Sequence, residues 1–363
     1  MINFAQRRTK ARSLFRKEGS DALLVTNPIN VTYLTGFTGD DSYLLLTSKH
    51  DILLSDQRFT TQLGEECPQL EHEIRGPGKS MLALVTEILT KAKIARLAVE
   101  ASSMTLAMHG VLTKSAPRCE LVPCTGLVEG LRAIKDRTEI ARTRIACDLA
   151  RRAFEVVRAS LRLEMTELEV AAELEYQARR FGAKCLSFPA IVAVGHRAAL
   201  PHASPTKQPL GAAEFTLIDW GVNEGLYMSD LTRILVTSKI LPKLRKVYEV
   251  VLKAQLAAIE AIRPGVTCEA VDQVARGIIA KAGFGKNFGH GLGHGTGLEI
   301  HEAPRLAQGQ TTKLTPGMIV TVEPGIYLPG WGGVRIEDDV LVTHEGREVL
   351  TSVPKELDEC VVG

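Results

Sequence analysis

Hydrophobic and polar positions alternate along the first third of the chain in two different rhythms. Residues 5–18 have a helical period with a basic face. Ala22–Val25, Tyr43–Leu46 and Ile52–Ser55 are short apolar runs bounded by turn residues, and they predict strands. Met81–Lys93 is helical in period and Arg96–Val99 is again strand-like. These elements predict an α/β domain over residues 1–125, then a linker over 126–138 and a second domain over 139–363.

The second domain opens on a long amphipathic stretch, Glu139–Leu161. Thr166-Glu167-Leu168-Glu169 is a capping box for a helix that Gly182 can close. Pro242 opens another helix, with Leu244, Val247, Val251 and Leu252 on one face, and Pro264-Gly265 ends it. Thr267 caps a third, which Gly283 stops. Strands dominate from Phe215 to Val236 and from Met318 to Val342. Runs of helices and runs of strands, without strict alternation, predict an α+β domain with antiparallel pairing.

Length agrees with this division, since 363 residues exceed one average core. A net charge of +2 is too small to indicate nucleic acid or an anionic membrane as partner. No apolar run is long enough for a signal peptide or a membrane span. The seven cysteines are odd in number and scattered, which predicts free thiols and a reducing cytoplasm. Cys119 and Cys124 lack the second pair that a cysteine metal site would need.

Four acids change the picture. Asp219, Asp230, Glu323 and Glu337 stand in the apolar, strand-like contexts Leu-Ile-Asp-Trp-Gly, Ser-Asp-Leu-Thr-Arg, Val-Glu-Pro-Gly and Val-Arg-Ile-Glu. Buried carboxylates are costly unless something neutralises them. Turn residues place them in pairs. A hairpin with its midpoint between Glu224 and Gly225, where Asn223-Glu224-Gly225 supplies turn residues, sets Asp219 opposite Asp230, and one centred on Gly330 sets Glu323 opposite Glu337. Opposed like charges destabilise a sheet, and a pair of cations would remove that penalty. His294, in Gly293-His294-Gly295, adds an imidazole to the set. Oxygen ligands with one imidazole suit two divalent ions of manganese, cobalt, zinc or iron, and the ligand types do not choose among them. Two such ions can activate water and polarise a carbonyl.

Five of the nine histidines lie between residues 196 and 301. His290 and His294 share a glycine-rich run with no phosphate-loop pattern, His202 follows Pro201, and His301 precedes Glu302-Ala303-Pro304. His196 and His344 are read as ordinary loop histidines.

From about residue 140 to 350 these motifs closely resemble the pita-bread metallopeptidases, which include methionine aminopeptidase, Xaa-Pro aminopeptidase and Xaa-Pro dipeptidase. The resemblance implies a pita-bread α+β catalytic domain. It implies five metal ligands, Asp219, Asp230, His294, Glu323 and Glu337, with one aspartate and the last glutamate bridging the ions. It makes Glu323 the general base as well. His202 and His301 match histidines that hold substrate and stabilise the tetrahedral intermediate, and His290 matches a further active-site histidine. Arg335 matches a substrate-side arginine, with a structural salt bridge to an adjacent acid as the alternative. An intact ligand set argues against the metal-free relatives.

Asn30-Val31-Thr32-Tyr33-Leu34-Thr35-Gly36-Phe37 and Leu54-Ser55-Asp56-Gln57-Arg58 resemble the creatinase-like N-terminal domain of the proline-specific branch. That likeness implies a homodimer. Asp56 and Arg58 read equally as functional residues or as a surface turn pair. The expected activity is that of a Xaa-Pro aminopeptidase, towards which the Thr35–Gly39 segment leans. A Xaa-Pro dipeptidase is the alternative, and a non-catalytic peptide-binding protein is a third.

Overall fold

The short apolar runs of the first third hydrogen-bond into one six-stranded sheet. In this computed structural model, which describes residues 2–362, the chain divides between Arg132 and Ala133 into two units. The first unit carries β1 (Ala22–Val25), β2 (Tyr43–Leu46), β3 (Asp51–Asp56), β4 (Glu71–Arg75), β5 (Arg96–Glu100) and β6 (Glu120–Cys124). Their order is β4-β3-β2-β1-β5-β6, and every neighbour pair is parallel except the two that β2 makes.

Helices α1 (Phe4–Lys17), α2 (Pro28–Thr35), α3 (Thr60–Glu66), α4 (Met81–Ala92), α5 (Leu106–Ser115) and α6 (Leu127–Arg132) complete this unit. Part of the basic face of α1 is structural. Arg7 and Arg8 are buried and donate to the Tyr33 and Leu34 carbonyls, while Arg8 and Arg12 both pair with Asp51. Buried, fully partnered guanidiniums are not available to an external polyanion.

The expected linker over 126–138 is corrected, because α6 lies inside it. Val128 and Arg132 are buried, and Arg132 Nη1 donates to Asn30 Oδ1 at 2.7 Å. A six-residue helix is too short to show a period in the sequence. Asp136, also within that stretch, already forms the capping box of the next helix with Glu139.

The second unit has helices α7 (Arg137–Ser160), α8 (Glu167–Arg180), α9 (Pro242–Ala261) and α10 (Cys268–Lys281). Its first strands are β7 (Cys185–Leu186), β8 (Ile191–Val194), β9 (Phe215–Trp220), β10 (Val222–Glu224), β11 (Tyr227–Met228) and β12 (Leu231–Val236). The later ones are β13 (Gly293–Gly295), β14 (Glu302–Leu306), β15 (Ile319–Val322), β16 (Gly325–Leu328), β17 (Gly332–Arg335), β18 (Asp338–Val342) and β19 (Arg347–Val349). All pairings between these strands are antiparallel, as the grouping of elements predicts.

Every residue of β9 and β12 is buried. The strands are covered on both faces, so they read as continuous apolar runs and not as an alternation. Ile218, Trp220, Leu231 and Leu235 pack with α7 and α8, where Trp220 stacks on Phe154 at 4.3 Å. Phe215, Leu217, Ile234 and Val236 belong to the opposite core, with α9 and α10. Asp219 continues the row of Phe215 and Leu217. A carboxylate therefore stands where the next core residue would be.

Thr166 caps α8 by accepting from the Glu169 N–H, and Glu169 reciprocates to the Thr166 N–H at 2.8 Å. Thr166→Ala is expected to cost about 1 kcal/mol. A lowered denaturant midpoint at unchanged slope would show it.

Candidate metal centre

Asp230, Glu323 and Glu337 stand at strand breaks, and Asp219 stands within β9. Val322 pairs with Asp338 on one side and Gly325 with Arg335 on the other, so the register sets Glu323 opposite Glu337, as the Gly330-centred turn predicts. Pro324 can donate nothing to a ladder, and the pairing is interrupted there.

The other hairpin differs from expectation. Asp219 lies opposite Thr232, not Asp230. The turn residues are Gly225 and Leu226, with φ of 52° and 78°, while Asn223 and Glu224 stay in the ladder. Positive φ at both central positions suits a tight two-residue hairpin turn. Leucine is an uncommon occupant, which is why the sequence points one residue earlier. Moving the turn by one residue moves the partner by two, so Asp230 keeps its side-chain parity.

The side chains converge. Asp230, His294 and Glu337 each offer a ligand atom, and these atoms all lie within 4.8 Å of one another. His294 Nε2 is 3.6 Å from Asp230 Oδ2 and 3.4 Å from Glu323 Oε1. Thr232 Oγ1 donates to Glu337 Oε2 at 2.6 Å, and the Asp230 N–H donates to Asp339 Oδ2 at 2.9 Å. Thr321 supports two of the group, accepting from the His294 N–H at 3.0 Å and donating to Glu323 Oε1 at 3.4 Å.

Electrostatics sharpen the point. Burial first, then the charges of Glu337, Asp219, Asp339 and Glu323, hold Asp230 well above the usual carboxylate range. Burial, then Glu323 and Asp219, does the same to Glu337. Burial pushes Glu323 up to about 8 and raises Asp219, although the adjacent Arg335 opposes both. Burial lowers His290 and His294 to about 4, and lowers His301 as well. Burial and mutual repulsion thus favour the protonated form of the acids, and burial favours the neutral imidazoles. Asp219 Oδ1 is buried and meets no hydrogen-bond donor among the described residues. An orphaned carboxylate oxygen, crowded acids and a neutral imidazole fit divalent cations.

Arg335 is built into the acid cluster. Its side chain is 4% exposed, and its donors are committed to Asp219 Oδ2 (2.5 Å), Thr232 Oγ1 (3.0 Å), the Tyr327 hydroxyl (2.8 Å) and the Pro201 carbonyl (3.3 Å). Through Asp219 and Thr232 it braces the acids. His301 meets His294 edge-on at 4.3 Å between ring centroids. His202 lies within electrostatic reach of Asp219, His290 and His301. His290 Nε2 is 3.0 Å from the Tyr327 hydroxyl. His196 is exposed on the 3-10 turn Gly195–Ala199, and His344 is exposed in a loop.

Sequence reasoning passed over Arg305. It is exposed on β14, directly opposite His294 in the register, and among the described residues it has no carboxylate partner. Its charge is felt by both His294 and His301. Its only signal in the sequence was its place four residues after His301. Tyr327 and Thr232 were also missed as supports, although both lie inside the motifs that carry the acids.

The description "Metallopeptidase family M24" matches residues 141–344, and "Creatinase/Prolidase N-terminal domain" matches residues 7–134. The chain is similar to the solved structure of a Xaa-Pro dipeptidase from Bacillus anthracis, with 38% identity and a TM-score of 0.94 over 98% of this chain and 99% of that one. A Xaa-Pro dipeptidase of Pyrococcus horikoshii is 35% identical over 94% of this chain and 95% of its own length. The X-Pro aminopeptidase structure from Thermotoga maritima is 33% identical, with a TM-score of 0.87 over 95% of this chain and 97% of that one.

Proposed function

The chain belongs to metallopeptidase family M24, with a creatinase-type N-terminal domain ahead of a pita-bread catalytic domain, and from that premise we propose that it is a Xaa-Pro dipeptidase. The observation that carries this reading is Arg305, an exposed guanidinium beside His294 and His301 with no carboxylate partner among the described residues. A dipeptide ending in proline presents a free carboxylate close to its scissile bond, and a free cation suits it. The dipeptidase names of the relatives at 35–38% identity support the same choice.

The aminopeptidase expectation loses its ground in Thr35–Gly39. Gly36 ends α2 at φ 86°, Thr35 Oγ1 donates to the Val31 carbonyl, and a Cβ on Gly39 would fall 2.4 Å from the Phe37 ring. Helix termination and packing account for that segment.

In this reading Asp219, Asp230, His294, Glu323 and Glu337 hold two divalent ions, manganese by preference. When bound, the ions polarise the scissile carbonyl and make water nucleophilic at neutral pH. Glu323 takes the proton released as water attacks and returns it to the departing proline nitrogen, which has no N–H of its own. The imidazoles of His301 and His202 donate to the oxygen on which charge develops. His290, steadied by Tyr327, positions the substrate. A homodimer and a cytoplasmic setting belong to the same proposal. The seven free cysteines agree with the second. Light scattering tests the first.

Arg305→Ala gives the functional test. Losing a charge-assisted bond to the carboxylate costs about 1.5–3 kcal/mol, or roughly 10- to 100-fold in kcat/KM on Xaa-Pro. The corresponding Xaa-Pro amide, which lacks the carboxylate, should hardly change. Equal losses on both substrates, or parent enzyme that cleaves Xaa-Pro-Yaa as well as Xaa-Pro, would reject the dipeptidase.

A further inference from the structure

His290 stands between two glycines in Phe288-Gly289-His290-Gly291-Leu292, a stretch with little conformational preference of its own. Its backbone is held from outside. Arg276 on α10 donates from Nη1 to the Phe288 carbonyl at 3.1 Å and from Nη2 to the His290 carbonyl at 2.8 Å. Asp272, one turn earlier on the same helix and fully buried, accepts from Nε and Nη2 of that guanidinium at 2.8 Å each. Asp272 Oδ1 also accepts the Leu292 N–H at 3.1 Å. The guanidinium lies over the Phe288 ring at 4.3 Å, and Phe288 meets the His290 ring edge-on at 5.1 Å. One ion pair thus fixes three backbone groups and a ring around His290. His294 is held differently, by the β13–β14 pairing and by Thr321.

We propose that Asp272 and Arg276 are positioning residues for His290, setting its imidazole against Tyr327 without touching substrate. The consequence for catalysis rests on the dipeptidase reading, but the fixing of the loop does not. The device calls for arginine. Only a planar fork can reach two carbonyls while gripping a carboxylate with two bonds, and lysine carries a single point charge.

The test compares full-length, manganese-loaded parent, Arg276→Met, His290→Ala and the double variant. In Arg276→Met, hydrogen exchange at residues 289–292 should quicken by about tenfold or more, while residues 293–295 and the metal content stay as in the parent. Turnover of a Xaa-Pro dipeptide should fall by roughly 10- to 100-fold from the displaced imidazole, and that loss should vanish in the His290→Ala background. Unchanged exchange at 289–292 would overturn the proposal, and so would an equal loss of turnover without His290. Should Arg276→Met not fold, Arg276→Lys carries the same readouts, with a smaller rise in exchange expected. If the parent cleaves no prolyl dipeptide, the functional reading fails alone and the exchange data still decide the positioning role.

Discussion

Asp230→Asn and Glu337→Gln should each remove bound metal and peptidase activity together. Both replacements keep the size of the side chain and delete one negative charge. Glutamine at 337 can still accept the Thr232 hydroxyl, whose bond to Glu337 is 2.6 Å long, so the local support survives. What disappears is an anionic ligand in the cluster where Asp230, His294 and Glu337 come within 4.8 Å of one another. Metal-assisted stabilisation of a transition state is worth several kcal/mol, so kcat/KM should fall by about 10³-fold or more. Metal analysis of the purified variants alongside rates on Xaa-Pro checks both halves. Full turnover in either variant, with its metal retained, would sink the assignment of these two acids as ligands.

Chelation should reverse the way stability depends on pH. Glu323 has its folded pKa raised to about 8 by burial. The folded chain therefore keeps a proton that the unfolded chain releases near the ordinary glutamate value. Where the folded state binds more protons, stability falls as pH rises, from the unfolded pKa until the folded one is passed. Asp230 and Glu337 are displaced in the same direction. His294 acts oppositely at lower pH. Its folded pKa of about 4 means that stability falls as pH drops from about 6.5. The acids are thus best seen between about pH 6.5 and 8, where folded His294 is neutral and its unfolded imidazole loses its remaining charge. Chelated protein should lose of order a few kcal/mol across the whole titration of the acids, and part of it within that interval. Metal-saturated protein should hold or gain stability there, because the ions favour the deprotonated ligands. Denaturant unfolding at both pH values, with and without chelator, measures the difference. Chelated protein that becomes more stable from pH 6.5 to 8 would contradict the proton-holding acid cluster.

Local chemistry was enough for much of this protein. Ala22–Val25 and Tyr43–Leu46 are strands with the bounds their apolar runs suggest, and Thr166, Pro242 and Thr267 stand at the helix starts that capping rules assign them. The Glu323–Glu337 register follows from a glycine turn because hairpin pairing is arithmetic once the centre is known. Residue type alone was informative at Asp219, Asp230 and His294, since charge inside apolar strands demands compensation.

Other features depend on segments far apart in the chain. Leu226 adopts a left-handed conformation that its side chain disfavours, so the Asp219 pairing could not be read from turn preference. Arg335 and Arg305 are both cations near the motifs. One is bound to Asp219, 116 residues away, and the other has no partner among the described residues. Sequence patterns record periods and preferences, which act over a few neighbours. Whether a charge is spent on a carboxylate or left free for a ligand is settled by distances between distant strands, and packing sets those distances.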